Sequence, residues 1–299
     1  MRGTPSMRMV SPQAENRAAG MALIAVLWIV AALSIMVTGL TATVRQQIQA
    51  VGTQRDQATG QALAEAGVNL VLQQMQASKD QRVDGITSVK VDYAGVPMEV
   101  EVAPLSGLIS LNGADAAQLA ALLQTAGGLP AGDAQALATA LVDWRDARAD
   151  GDGVTLQQAR RFEAPEDMLL VPGMDYALYA RIAPLVSADL LGVNRVNPAA
   201  APPGVLAVLA QGNEGRVEQY LNQRGSGQPG ADTSAFNQAF IGTGGANLYR
   251  LRVKVPLDAG KMLLLTRDVA VGNSFSRTAP WRVLRTDRQI VALSGQSGP

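Results

Sequence analysis

The stretch Arg17–Gln49, "RAAGMALIAVLWIVAALSIMVTGLTATVRQQIQ", carries the segment on which the reading of the chain turns. No charged residue stands between Met21 and Val44, and the most apolar part, Met21 to Val37, passes into Thr38, Gly39, Thr41 and Thr43. A bilayer core takes ~20 apolar residues as a helix, so the run is long enough to span one. Threonine and glycine are tolerated there because a helix satisfies its own backbone. Arg2, Arg8 and Arg17 against the single Glu15 place the N-terminus on the cytoplasmic side, and everything beyond about residue 45 outside.

Three readings compete for such a run. A secretory signal peptide has a shorter apolar region and a small-x-small cleavage site; here the run is longer and its pattern continues as a helix. A single-pass anchor fits the hydropathy. The third is a prepilin-type leader, in which basic residues and a Gly precede a cytoplasmic cut and the whole apolar helix stays in the mature chain. The Gly20–Met21 junction has that form. Residues 45–78 contain no Pro and only three Gly, and Ala62, Ala66 and Leu70, with Leu63 and Val71 less regularly, recur at helical spacing. One helix over 21–78 is expected to be roughly 87 Å long at 1.5 Å per residue. A membrane helix that runs on into an amphipathic helix of equal length is more than a plain anchor needs.

The composition removes several kinds of chemistry. Among 299 residues there is no His and no Cys. Ser-His-Asp and Cys-His nucleophiles, the usual Zn sites and disulfides are therefore excluded. Carboxylate chemistry and hard-cation binding remain. Lys+Arg and Asp+Glu balance at 25 each, so no global charge draws the chain to nucleic acid. No enzymatic activity is expected.

Downstream, "ITSVKVDYA" (86–94) and "VPMEVEVAP" (96–104) alternate apolar and polar residues around Gly95–Val96–Pro97 and predict a β-hairpin. From Leu108 to Gln223 the pattern is helical. Asp115 is the expected N-cap of a helix ending at Gly127, and Asp133 that of a helix following Pro130. Two short helices flank Pro172–Gly173, and "PPGVLAVLAQG" and "EGRVEQYLNQRG" continue the series. "SLNGADAAQLAALL" (110–123) and "RVNPAAAPPGVLAVL" (195–209) form a weak internal echo. After a Gly/Ser/Pro stretch at 225–236, strand patterns return at 247–257, 261–271 and 279–290. The early hairpin and the late strands most economically make one antiparallel sheet, packed on the outer half of the long helix.

In this order, "GMALIAVLWIVAALS" (20–34), "ISLN" (109–112), "LVDWRDA" (141–147), "LLVPGMD" (169–175) and "VNRVNPAA" (193–200) resemble the minor pseudopilin K subunit of the type II secretion system, the GspK-like family. The resemblance covers essentially the whole chain. It implies an α+β, pilin-like fold: a long N-terminal spine helix on a small antiparallel sheet, with a large inserted all-α domain. The expected divisions are a leader at 1–20 and the transmembrane half of the spine at 21–44. The amphipathic half and first two strands follow at 45–107, and the inserted helical domain at 108–223. A linker at 224–246 and the remaining strands and tail at 247–299 complete the chain. Most pilin-like proteins carry Glu at the fifth residue after the cut; here, counting from Met21, it is Ala25. A carboxylate unpaired in lipid is costly, and its lack resembles the subunit held to sit at the pseudopilus tip. The resemblance further implies cleavage after Gly20 and N-methylation of Met21 by the prepilin peptidase, and an inner-membrane, periplasm-facing location. I- and J-type minor pseudopilins are the implied partners. The H-type and major pseudopilins, the secretin and exported substrates are further contacts. Met7 and Met9 are alternative starts to Met1.

Two further stretches are candidate sites. Asp143, Asp146, Asp150 and Asp152 fall within "DWRDARADGDG". Closely spaced carboxylates on a Gly-rich turn suit Ca²⁺, but Arg148 interrupts the EF-hand pattern and no Glu closes it. A solvated helix end accounts for the same residues, so no cofactor is expected to be required and calcium is the ion to test. "LLVPGMDYALYARI" (169–182) resembles half of a helix-hairpin-helix, whose helix N-terminus receives a DNA phosphate. This is the basis of the alternative, a membrane-anchored DNA-binding protein of an uptake system. Asp175 stands where a Gly is usual and the surroundings hold few Lys or Arg, so a structural turn is the expectation, with no nucleic acid.

Overall fold

The structure, a computed structural model, describes residues 13–78, 83–146, 161–226, 230–243, 247–257, 260–272 and 280–292; the side chains of 13–22 and 37–53 lie outside that description. The chain divides into two units, Met1–Thr59 and Gly60–Pro299, and helix α1, Gln13–Ala77, enters both. In the first unit residues 23–36 are helical with every side chain exposed. Among the described residues no helix is long and apolar enough to cross a membrane. The part of the apolar run whose side chains are described is itself shorter than the ~20 residues a bilayer core needs.

In the second unit α1 gives way to β1 (Thr87–Tyr93) and β2 (Val96–Pro104). Tyr93 pairs with Val96, so the turn is Ala94–Gly95, at φ 53° and 77°, one residue earlier than the sequence reading placed it. Two left-handed residues match the twist of the strands, and Gly95 supplies the second at least cost. Pro97 lies before the β2 ladder with its other neighbour begins at Glu99, so no bond is lost there. Next come β3 (Ile109–Ser110), α2 (Ala116–Thr125), α3 (Ala131–Asp146) and α4 (Tyr176–Ile182). These are followed by β4 (Val186–Ser187), α5 (Pro203–Leu209) and α6 (Glu214–Gly225). β5 (Leu248–Leu257), β6 (Lys261–Val271) and β7 (Trp281–Ala292) close the chain. The main sheet has the order β1-β2-β5-β6-β7, all antiparallel. All of the helical elements after α1 therefore lie in the chain between two neighbouring strands.

Period-two alternation sends Val100, Val102, Leu251, Val253, Val255, Leu263 and Leu265 to one face of the sheet, where they bury Ala64, Val68, Val71 and Leu72 of α1. The buried stripe of α1 follows the positions picked out by helical spacing only in part: Val71 is buried and Leu63 packs on the same core, but Ala62 and Leu70 are exposed and Ala66 is only half-buried. Those positions have the right spacing but lie on another side of the helix. Gly60 lets α1 come close to the sheet, because a Cβ there would run into the Leu257 side chain, whereas one on Gly67 would make an ordinary contact with Met98 at 3.4 Å. The second core joins Leu105, Ile109, Leu119, Leu122, Leu141, Phe162, Met168, Ile182 and Leu206. Asp115 caps α2 as expected, accepting from the Gln118 N–H at 2.7 Å. Asp133 does not cap α3. The helix starts at Ala131 with the Pro130 carbonyl accepting from Ala134, and Asp133 falls in the first turn, where its charge still suits the helix dipole.

Leu72→Ala is expected to cost about 3 kcal/mol, the usual range for a fully buried leucine. Gly107 follows β2, and a Cβ there would overlap the Ala200 carbonyl. Gly107→Ala should cost about 3 kcal/mol, the upper end for overpacking. Gly132→Ala in α3, where a Cβ meets nothing within 4 Å, should be neutral or stabilising. Denaturant midpoints of the three variants check this.

Candidate functional site

The helical part is tied together by one arrangement used twice. β3 runs parallel to β4, and two residues after β3 the side chain of Asn112 serves three backbone groups. Its Nδ2 donates to the Ala188 carbonyl at 2.6 Å and the Phe162 carbonyl at 2.9 Å, and its Oδ1 accepts from the Phe162 N–H at 2.9 Å. From the last turn of α3, Arg145 Nη1 donates to the carbonyls of Leu111 (3.1 Å) and Ala114 (2.8 Å). Trp144 stacks on Phe162 with ring centres 4.6 Å apart, which makes it a packing residue. The second copy centres on Asn197. Its Nδ2 donates to the Asp84 carbonyl at 2.9 Å, its Oδ1 accepts from Ala199 N–H, and its own N–H donates to the Ser106 carbonyl at 2.8 Å. From the last turn of α6, Arg224 Nη1 donates to the carbonyls of Pro198 (3.2 Å) and Ala201 (2.7 Å).

The weak echo between 110–123 and 195–209 is thus a repeated unit: an Asn-centred loop, two helices, and an Arg that returns to the loop's carbonyls. The copies do different work. Asn112 and Arg145 hold residues on both sides of 147–160, while Asn197 ties the helical part to the segment entering β1 and to the exit of β2. Burial lowers the Arg224 pKa from its ordinary value and raises that of Tyr220, over whose ring the guanidinium lies at 5.9 Å.

The sheet face turned away from α1 is charged and faces a cavity of about 630 Å3. Its floor is built of cross-strand rows. Arg250 pairs in register with Asp268, and Asp268 with Arg285. Arg250 forks onto the buried Asp268 carboxylate at 2.7 and 2.8 Å, the bidentate geometry that favours Arg over Lys. Arg252 donates to Glu101 at 3.0 Å. The roof carries Pro165, Tyr179 and Pro184 from the helical part. At its edge Arg285 of β7 bonds both carboxylate oxygens of Glu166. The Arg285 bond holds the Glu166 pKa below its ordinary value, and raises that of Arg285. Burial, then the neighbouring Glu166 charge, raises the Tyr179 hydroxyl. Burial, then the charge of Asp268, raises Asp189. Sequence reasoning missed this cleft: its floor residues read only as the polar half of strand alternation, and no local signal pairs Glu166 with Arg285.

Of the residues singled out from the sequence, Asp143 and Asp146 lie on α3, both exposed, and Arg145 Nε bonds Asp146 at 3.0 Å. Asp150 and Asp152 lie outside the described residues, and Gly20 and Met21 fall within α1, where the Met21 side chain is likewise outside the description. Among the described residues no three acidic side chains stand close enough to hold a metal ion. In the helix-hairpin-helix-like stretch, Asp175 Oδ1 accepts from the Leu178 N–H at 2.7 Å and caps α4. The helix end that would receive a phosphate is therefore filled by a carboxylate.

A sheet backed by one long helix, with a helical body between two neighbouring strands and a charged cleft beneath it, defines an α+β class of which a secretion-system example has been solved. A chain in the crystal structure of the GspK-GspI-GspJ complex from the enterotoxigenic Escherichia coli type 2 secretion system shares the fold, with a TM-score of 0.52 and 16% identity over 79% of this chain and 98% of that one. Residues 105–189 match the family model described as type II secretion system (T2SS), protein K. The likeness to the protein K family is thus confined to residues 105–189, and the likeness to the solved chain is one of fold. No curated protein matches it.

Arg224→Met removes the charge-assisted bonds to the Pro198, Ala199 and Ala201 carbonyls inside the fold and should cost about 2–3 kcal/mol; Asn112→Ala should cost a similar amount. Both are read from denaturant midpoints. The Glu166–Arg285 pair has a defined pH sign. Because the folded pKa of Glu166 is depressed, its contribution, about 0.5 kcal/mol for a pair this exposed, is present above the unfolded value of ~4.3 and is lost as pH falls through the lower folded value. Thermal melts of Glu166→Gln and the wild type should differ at pH 7 and converge in acid.

Proposed function

We propose that this protein is a minor pseudopilin of a type II secretion system that sits at the tip of the periplasmic pseudopilus. There it helps to initiate assembly and the export of folded proteins. The observation that carries the reading is the protein K match over 105–189, on a chain that over 79% of its length shares the fold of one in the GspK-GspI-GspJ complex. Under this reading α1 is a pilin spine and 108–223 an inserted domain. The prepilin peptidase cuts after Gly20 and methylates Met21, and the apolar run anchors the chain in the inner membrane with its C-terminal part periplasmic. Ala25, where a paired Glu is usual, supports a tip position: a subunit with no neighbour beyond it needs no carboxylate to receive that neighbour's amine. The role is structural, without catalysis or a required cofactor. I- and J-type minor pseudopilins are its immediate partners, through small-residue faces such as Ala31, Ala32, Gly39 and Ala42.

Mass spectrometry of the mature N-terminus is expected to find methylated Met21; an intact Met1, or a cut beyond residue 40, overturns the pilin reading. The full-length protein is expected to co-purify with I- and J-type pseudopilins. Isolation as a monomer in their presence overturns the tip role while leaving processing intact.

A further inference from the structure

A helix with its side chains is about 10–12 Å across, and the outer strands of a five-stranded sheet stand roughly 19 Å apart. One helix therefore covers two or three strands. α1 covers β2, β5 and β6, whose inward residues share its core. β7 is left at the margin. Val283 pairs in register with Val269, Arg288 with Leu265 and Ile290 with Leu263, and all three β6 partners are buried under α1. Residues opposite one another on a ladder share a face, so Val283, Arg288 and Ile290 point to the α1 side. Yet Val283 and Ile290 are 46% and 44% exposed. The other margin differs, because Val89 and Val91 of β1 pack against the core.

The flank of α1 that borders this apolar strip is polar. Gln61, Glu65 and Gln76 lie on one side of the helix at spacings of one and three turns. Arg288 donates to Gln61, Arg267 Nη2 stands 3.8 Å from Glu65, and Gln76 donates to the Pro280 carbonyl at 3.0 Å. Arg267 pairs with buried Leu251 and so faces α1. Its side chain is 14% exposed, and its buried Nε has no hydrogen-bond partner among the described residues. Two guanidinium groups thus share the single carboxylate of Glu65, and Arg288 reaches it only through Gln61, which donates to Glu65 at 2.9 Å. The strip is apolar along its length and positive at its middle.

We infer that the α1-side face of β7 is a docking surface for an amphipathic helix of a fellow minor pseudopilin, laid beside α1 and carrying a carboxylate within its apolar stripe. The chemistry of the occupant follows from the strip. Val283 and Ile290 lie seven residues apart on one strand, about 23 Å at 3.3 Å per residue, which a helix of about 15 residues spans at 1.5 Å per residue. Such a helix packs at 8–10 Å from its neighbour and so fills the place over β7 that α1 leaves open. Its carboxylate answers the charge that Glu65 alone does not balance between Arg267 and Arg288; a basic helix would add a third cation to that pair. That the occupant is a minor pseudopilin rests on the function proposed above.

The test is the affinity of the full-length protein in detergent for purified I- and J-type pseudopilins. Val283→Glu, Ile290→Glu and Arg288→Glu should each weaken the complex about tenfold, in the range of a residue central to an interface. Ile290→Lys, which loses the same apolar contact but keeps the sign of the strip, should weaken it only about threefold, and Arg288→Lys less still. Val291→Glu is the control: Val291 is 40% exposed on the same strand but points to the opposite face, and the affinity should not change. Thermal melts of all five variants should match the parent, since each site is exposed. A wild-type complex that Val283→Glu and Ile290→Glu leave intact overturns the docking surface and spares the proposed function. Equal loss in Val291→Glu overturns it in favour of pairing along the strand edge, and a greater loss in Ile290→Lys than in Ile290→Glu overturns the acidic helix. A variant-sensitive dimer of this chain in place of the complex overturns the choice of partner. Absence of any wild-type complex defeats the proposed partnership and this inference with it.

Discussion

The ladder between β2 and β5 is the contact on which the second unit depends. It runs from Glu99 paired with Lys254 to Pro104 paired with Tyr249 and closes the chain over everything between. Loop closure over so long a segment carries an entropic cost that rises only slowly with length. The intervening residues can therefore form a body with its own apolar core, provided their two ends come back to the same edge. Leu105–Gly107 and Leu248 satisfy this by packing into that core at the point where the strands end. The helix behind the sheet is placed by the same strands: Val100, Val102, Leu251 and Val253 offer a flat apolar face, and Gly60, Ala64 and Gly67 let α1 come close to it.

Within the helical body the economy lies in backbone satisfaction. Short loops that carry two-residue strands and 3-10 turns leave carbonyls facing inward, and such groups need partners. The chain answers twice with the same pair of residue types. Asn supplies a donor and an acceptor on one planar group, and Arg supplies several donors from the end of a helix. Arg145 and Arg224 act as structural cations: each bonds carbonyls of a loop that lies far earlier in the chain. The first copy gathers Leu111, Phe162 and Ala188; the second joins Asp84, Ser106 and the 198–201 turn, and so fixes the helical body onto the strands.

The charged face of the sheet follows a related logic. Alternating signs across β2, β5, β6 and β7 let neighbouring strands neutralise one another, as opposite charges directly across a ladder do. The face needs no partner to be stable, which separates it from an apolar docking surface. Arg285, at the outer strand, reaches beyond the sheet to Glu166.

The order of elements was legible from the sequence because it rests on local rules. Strand alternation gave 96–104 and 261–271 to the residue, Asp115 announced α2, and the absence of Pro and the sparse Gly over 45–78 announced a continuous helix. The motifs "ISLN", "LVDWRDA" and "VNRVNPAA" carry the resemblance to the protein K family, and Asn112, Arg145 and Asn197 within them are clasps, while the second clasp arginine, Arg224, lies outside them. What the sequence left open were the choices that depend on residues far apart in the chain. Periodicity gives a spacing but not which side of a helix meets its neighbour, so Ala62, Ala66 and Leu70 fitted a buried stripe as well as Gly60, Ala64 and Val68 did. Only the shape of the sheet, with Leu257 standing where a Cβ on residue 60 would be, selected the second. In the same way a charged residue on a strand announces an outward face but not its partner. Glu166 and Arg285 acquired each other only when the ladder from β2 to β5 brought the helical body over β7, because the pairing of two side chains is set by the path of the backbone between them.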